Sequence, residues 1–240
     1  MLWRFRGMWY VWNMLKGMCS HILPPRCLCC GGSEPGSSGV CGPCAQGIRP
    51  IPTPLCSVCG SPSGTAGVCL GCLTEPPPFD RMTSAAVYDG LIKDILHAFK
   101  YHNATFYKAF LGKILFDELS KEEVACDVVS FVPLHWTRMI SRGYNQAALI
   151  ARELSRLLGL ELRFDVLRKS RRTLSQVGLG RALRKKNITG AFCASGVADR
   201  AVLVVDDVVT TGQTAREVSM ALKKAGATRV VFASVGRMLI

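Results

Sequence analysis

At 240 residues the chain has room for one α/β domain with a full core and a small appendage, so two modules are expected. A formal charge of +13 points to anionic partners: nucleotides, phosphorylated sugars, nucleic acid or an acidic membrane surface. Ten of the 12 cysteines fall between Cys19 and Cys72, and eight of these form C-x-x-C pairs, which excludes a disulfide scaffold in a chain with no recognisable signal peptide.

Residues 1–18 mix Trp3, Phe5, Trp9, Tyr10, Trp12 and Leu15 with Arg4, Arg6 and Lys16 and contain no acid. They read as a short amphipathic segment, either folded back on the cysteine module or lying on a membrane or a partner. The apolar stretch is too short and too interrupted to span a bilayer. A cytoplasmic protein is expected, with residues 1–18 as a peripheral contact at the inner membrane face.

Residues 19–74 carry the pairs Cys27/Cys30, Cys41/Cys44, Cys56/Cys59 and Cys69/Cys72. Each C-x-x-C is a knuckle that aims two thiolates at one tetrahedral ion, so two zinc ions are expected. The spacing suggests successive four-cysteine ribbons, although pairing of the first knuckle with the third remains open at this point. Cys29 and Cys19 read as spare thiols. The segment is rich in Gly, Ser and Pro and buries little without its metals.

Pro76, Pro77 and Pro78 then form a stiff hinge to a domain over 75–240. Ser84 to Tyr88 reads as a strand. Ile92, Ile95, Leu96 and Phe99 recur at helical spacing, and a second helix is expected over 104–120. Val128 to Val132 reads as a buried strand broken by Pro133, followed by a helix with the stripe Ile150, Leu154, Leu157 and Leu158. Ala201 to Val205 is a strand, Val218, Ala221, Leu222 and Ala225 mark the next helix, and Arg229 to Val235 is a last strand. This order implies a parallel sheet with right-handed crossovers, whose ligands sit outside the carboxyl ends of the strands.

Val202 to Thr214, V-L-V-V-D-D-V-V-T-T-G-Q-T, carries the most chemistry. Asp206 and Asp207 suit two neighbouring sugar hydroxyls. The backbone and hydroxyls of Thr210, Thr211, Gly212, Gln213 and Thr214 suit a terminal phosphate, with Val208 and Val209 as cofactor-binding residues between them and the acids, and Gly212 removes the Cβ that would block the phosphate's approach. At the same sheet edge, the segment after Val132 supplies Leu134, His135, Arg138 and Arg142, whose guanidinium groups suit phosphate oxygens. Lys100 is a further candidate phosphate contact. Residues 168–186 hold Arg168, Lys169, Arg171, Arg172, Arg181, Arg184, Lys185 and Lys186 with no acid, and read as a lid, a surface for single-stranded nucleic acid, or a solvated basic face. No Walker loop and no dinucleotide fingerprint is present, which argues against NTP hydrolysis.

The 202–214 segment resembles the phosphoribosyl pyrophosphate (PRPP) motif of type I phosphoribosyltransferases. Together with P-P-R-C-L-C-C at 24–30, F-K-Y at 99–101, V-P-L at 132–134, R-G-Y-N-Q-A at 142–147 and G-A-F at 190–192, it resembles the ComF family. These are competence-associated, phosphoribosyltransferase-like proteins with an amino-terminal double zinc ribbon. The resemblance implies a type I phosphoribosyltransferase-like α/β fold, a parallel sheet flanked by helices and preceded by a zinc-ribbon module. It further implies that Asp206 and Asp207 bind ribose, that Thr210–Thr214 bind the 5′-phosphate, and that the loop after Val132 with Arg138 binds pyrophosphate with Mg²⁺. Three readings follow: a Mg²⁺-dependent transferase acting on PRPP and an unidentified nucleophile; a single-stranded DNA-binding protein with PRPP as effector or vestige; and a scaffold that recruits a protein partner through the zinc module. Trp136 departs from the residues many members carry after P-L-H.

Overall fold

The computed structural model describes residues 26–33, 35–36, 38–122, 125–170 and 189–239. The expected amphipathic segment 1–18 and residues 171–188 of the basic stretch lie outside the described residues. The chain divides into two compact units, with the boundary between Gly47 and Ile48. In the first, a turn at Cys27–Cys30 and the short helix α1 (Gly42–Gln46) present one set of four cysteines.

The second unit begins with a ribbon whose Leu55 and Pro62 bridge antiparallel, followed by α2 (Leu70–Thr74), and continues into the sheet domain. Its elements are β1 (Arg81–Val87), α3 (Gly90–Tyr101), α4 (Lys108–Leu119), β2 (Val128–Phe131), α5 (Trp136–Arg142), α6 (Gln146–Leu158), β3 (Glu161–Leu162), β4 (Leu167–Lys169), β5 (Phe192–Ala194), β6 (Ala201–Val209), α7 (Gln213–Lys224) and β7 (Arg229–Arg237). A five-stranded parallel sheet runs in the order β1-β7-β6-β2-β3, and β4 and β5 pair antiparallel beside it.

The central strands are near-continuous apolar runs because both faces of the sheet are covered. α4 and α6 cover one face; Gly112 permits their close crossing, since a Cβ there would stand 2.6 Å from the Glu153 Cβ. α7 and the β4–β5 pair cover the other, around a cluster that includes Val166, Val202, Val204, Val218, Leu222 and Phe232. Val58 and Cys59 of the ribbon pack against the same cluster.

Three expectations shift in detail. The helix expected over 104–120 is a 3-10 turn at Thr105–Tyr107 followed by α4. The buried stripe of α6 runs through Ala147, Ile150, Ala151 and Leu154, with Leu157 and Leu158 only half-buried, because small residues face the sheet where the helix lies closest. β6 extends four residues past Val205, so the acidic pair lies within the strand.

Candidate functional site

β2 is followed by a crossover to β3 on one side and β6 by a crossover to β7 on the other, so the strand order reverses between β2 and β6. A crevice opens at the carboxyl ends of strands at such a reversal. Here its floor is shaped by a difference in strand length. β2 pairs with β6 only as far as Phe131↔Val205, whereas β6 continues alongside β7 through Asp206↔Ser234 to Val209↔Arg237. The overhanging end of β6 therefore has an open edge, and the two acids lie on it.

A cavity of about 1330 Å³ occupies this crevice, and Asp206, Asp207, Val208, Val209, Thr210, Gly212, Gln213, Thr214, Leu134, Arg138 and Arg142 all line it. Asp206 Oδ1 accepts from the Asp207 N–H at 2.8 Å. Burial first, and then the neighbouring charge of Asp207, hold the Asp206 carboxyl well above the usual carboxylate range. Lys100 reaches the pair from the last turn of α3, its Nζ 2.7 Å from Asp207 Oδ2, so its partner is a carboxylate instead of the phosphate expected from the sequence.

Gly212 takes the left-handed conformation at φ +73° and caps α7, which turns the chain from strand into helix within three residues and leaves the backbone of 210–214 free of an obstructing Cβ at its centre. Glu217 secures the loop from behind. It is buried and accepts from Gln213 Nε2 at 3.1 Å and from the Gly190 N–H at 2.8 Å. Thr211 does not face the main cavity; it lines a second one of about 970 Å³ on the ribbon side of the loop.

The chain after β2 forms α5, a helix where the sequence pattern suggests a loop. His135 is its N-cap, its Nδ1 accepting from the Thr137 N–H, which gives this side chain a structural task at the place where a phosphate contact was expected. Arg138 is held below the usual arginine range by burial and by Arg142. Arg142 donates to Gln146 Oε1 at 3.1 Å and stacks 5.2 Å from the centre of the Tyr101 ring. Each member of the R-G-Y-N-Q block now has a role. Gly143 ends α5 at φ +75°, Tyr144 donates to the Phe99 carbonyl, Asn145 caps α6 and donates to the Val132 carbonyl, and buried Gln146 receives Arg142. Lys169 of β4 also faces the cavity; burial, then Arg138, lowers its pKa to about 8. Arg168 and Lys169 belong to the described part of the basic stretch, and Lys169 alone of the two lines the cavity.

The eight paired cysteines form two clusters, Cys27/Cys30/Cys41/Cys44 and Cys56/Cys59/Cys69/Cys72, with the sulfurs of each within 4.8 Å of one another. Adjacent knuckles are thus partners, which settles the pairing left open by the sequence. A tetrahedral zinc ion with Zn–S of about 2.3 Å sets its sulfurs about 3.8 Å apart. Cys30 and Cys41 are 3.7 Å apart and Cys59 and Cys69 3.8 Å, so both clusters fit that ion. Backbone N–H groups of Cys41 and Cys69 point at Cys27 Sγ and Cys56 Sγ respectively, the same hydrogen bond in each ribbon. Such bonds favour the thiolate: those from Cys30 and Cys41 lower Cys27 to about 5, and Cys56 falls to about 6 although burial opposes it.

The ribbon of the second unit is bound to the sheet. Arg237, buried at the end of β7, donates to the Cys59 carbonyl and to Ser61 Oγ; the Met82 N–H donates to the Val58 carbonyl at 2.7 Å; Arg216 in the first turn of α7 donates to the Glu75 carbonyl at 2.9 Å. Among the described residues no helix is long and apolar enough to cross a membrane.

Two domain families match the chain: the double zinc ribbon domain over residues 18–73 and the phosphoribosyl transferase domain over residues 142–237. DNA utilization protein YhgH of Escherichia coli (strain K12) is 32% identical over 223 residues, which cover 90% of this chain and 95% of that protein. Competence protein F of Haemophilus influenzae is 30% identical over 216 residues, 85% of this chain and 93% of its own. Competence protein ComFC of Streptococcus pneumoniae is 30% identical over 144 residues, 60% of this chain and 62% of its own.

Proposed function

This chain belongs to the family that includes DNA utilization protein YhgH and competence protein F, and on that premise we propose that it binds PRPP, as its Mg²⁺ complex, at the carboxyl ends of β2 and β6. One observation carries the reading: at the point where strand order reverses, a paired carboxylate, a glycine-centred helix N-terminus and two arginines of α5 line one cavity. Asp206 and Asp207 receive the ribose 2′- and 3′-hydroxyls. The backbone of Thr210–Thr214 surrounds the 5′-phosphate. Arg138 and Arg142 face the pyrophosphate, with Leu134 on the wall beside it. His135, which caps α5, positions this wall.

Mg²⁺, when bound as part of the substrate, would neutralise pyrophosphate charge beside Arg138 and Arg142. In the transferase reading, the bond from C1 to the pyrophosphate oxygen breaks, a nitrogen nucleophile bonds to C1, and its proton leaves with solvent or a nearby base. The arginines stabilise the charge that develops on the departing pyrophosphate. Calorimetric titration of the zinc-loaded protein with PRPP and Mg²⁺ tests this. Binding is expected, with loss in the Asp206→Asn/Asp207→Asn variant; equal affinity in both proteins would overturn the ribose assignment.

The relatives' association with DNA utilization and competence and the charge of +13 favour a second reading, in which single-stranded DNA is the anionic partner and PRPP an effector. Affinity for an oligonucleotide would then fall steeply with salt. A salt-independent interaction, or none, counts against it.

A further inference from the structure

Lys100 and the acidic pair come from different elements. The lysine leaves the last turn of α3, the acids sit on the overhang of β6, and both line the main cavity. Nζ is 2.7 Å from Asp207 Oδ2, and only 16% of either side chain is exposed. A largely enclosed ammonium is costly to desolvate unless a partner holds it. Here burial pulls its pKa down, but the charge and hydrogen bond of Asp207, with Tyr88 and Asp206, together outweigh burial and the ammonium form is strengthened.

The acidic pair has the opposite difficulty. Adjacent carboxylates in a crevice repel, and a protonated acid donates a hydrogen bond where a sugar hydroxyl needs an acceptor. A positive charge beside the pair opposes that repulsion, and Lys100 pulls against the burial and the neighbouring charge that raise Asp206. The titratable groups facing it are Lys100 and Tyr88 from the β1–α3 side and Lys169 from β4. Among these, Lys100 makes the direct contact.

We propose that Lys100 is a positioning residue acting through Asp207: it holds that side chain in place on the cavity wall and supplies, from the protein, the countercharge that lets the pair receive a pentose phosphate in the absence of a divalent cation. The inference rests on the ribose-phosphate reading of the site. It departs from an electrostatically bare acidic pair, which would need a metal ion before it could accept two hydroxyls.

The test uses ribose 5-phosphate, which lacks the pyrophosphate that would carry Mg²⁺, titrated calorimetrically into the zinc-loaded full chain in buffer free of Mg²⁺ and of chelator, and again with Mg²⁺. Wild type is expected to bind without Mg²⁺, with little gain when it is added. Lys100→Met should weaken binding at least tenfold without Mg²⁺ and recover most of the loss with it, while Lys100→Arg stays within a few fold of wild type. Rescue by the cation separates a lost charge from a lost shape. Wild-type binding that requires Mg²⁺, unchanged binding in Lys100→Met, or a loss that Mg²⁺ does not restore overturns the role of Lys100 and leaves the ribose site standing. Failure of wild type to bind in either buffer, or binding unaffected by Asp206→Asn/Asp207→Asn, overturns the ribose reading and the proposal with it. The wild-type arm is decisive even if Lys100→Met does not fold.

Discussion

Asn145 fastens the loop after β2 to the helix that follows it: its amide donates to the Val132 carbonyl at 3.0 Å while its side-chain oxygen accepts the Ala148 N–H at 3.3 Å and caps α6. The residue is buried, so no water replaces either bond. One wall of the cavity is thereby held to the sheet. Asn145→Ala is expected to lower stability by about 1–3 kcal/mol through the lost cap and the orphaned carbonyl. Urea unfolding measures the loss, and a change below about 0.5 kcal/mol would show that the loop is held elsewhere.

Lys169 sets an expected pH dependence. Its folded pKa is about 8, lowered first by burial and then by Arg138, and a bound pyrophosphate raises it again. Free protein near pH 8 is thus partly deprotonated at this position, and binding takes up a proton. Affinity for PRPP should fall as pH rises through about 8, and Lys169→Arg should flatten the fall. Calorimetry in buffers of different ionisation enthalpy detects the proton uptake directly.

The second four-cysteine cluster should matter beyond its own ribbon. Cys56→Ser is expected to lower the zinc content by one equivalent and to destabilise the sheet domain by about 2 kcal/mol or more, because Val58 and Cys59 pack against the apolar cluster under β6 and β7. Zinc quantification and thermal unfolding followed at the far-ultraviolet helix signal read the two effects separately. A variant that loses metal yet melts as wild type would confine the effect to the ribbon.

Gly112 gives a test of packing remote from the cavity. With 2.6 Å to the Glu153 Cβ, Gly112→Ala forces α4 and α6 apart. The helix-propensity gain of about 1 kcal/mol is offset by overpacking of about 1–3 kcal/mol, so a net loss is expected. Denaturant midpoints decide the sign.

Legibility in the sequence varies with how local the cause is. The apolar run of Val202–Val205 followed by Asp206, Asp207 and Gly212 announces strand, acids and glycine-centred turn, because a buried parallel strand and a left-handed turn each leave a mark in residue type. The spacing of the paired cysteines announces the metal sites for the same reason. By contrast α5 leaves no such mark: Trp136, Met139 and Ile140 are largely exposed, so no apolar stripe reveals the helix, and its start is set by His135, a side chain not usually read as a cap. The pairing of Lys100 with Asp207 joins residues far apart in sequence, and only the crossover of α3 over the sheet edge brings them together.

The attachment of the second ribbon bears on how the protein can be divided. A version beginning at residue 75 would keep every strand of the sheet. It would also strip Arg237 of the Cys59 carbonyl and Ser61 hydroxyl that receive its guanidinium, and uncover Met82 beneath Gly212. The Arg237 guanidinium would then lose its protein acceptors beside the 210–214 loop. Autonomy of the sheet domain therefore ends where the ribbon begins to serve as its foundation, and modular exchange of that ribbon between relatives requires that the end of β7 be exchanged with it.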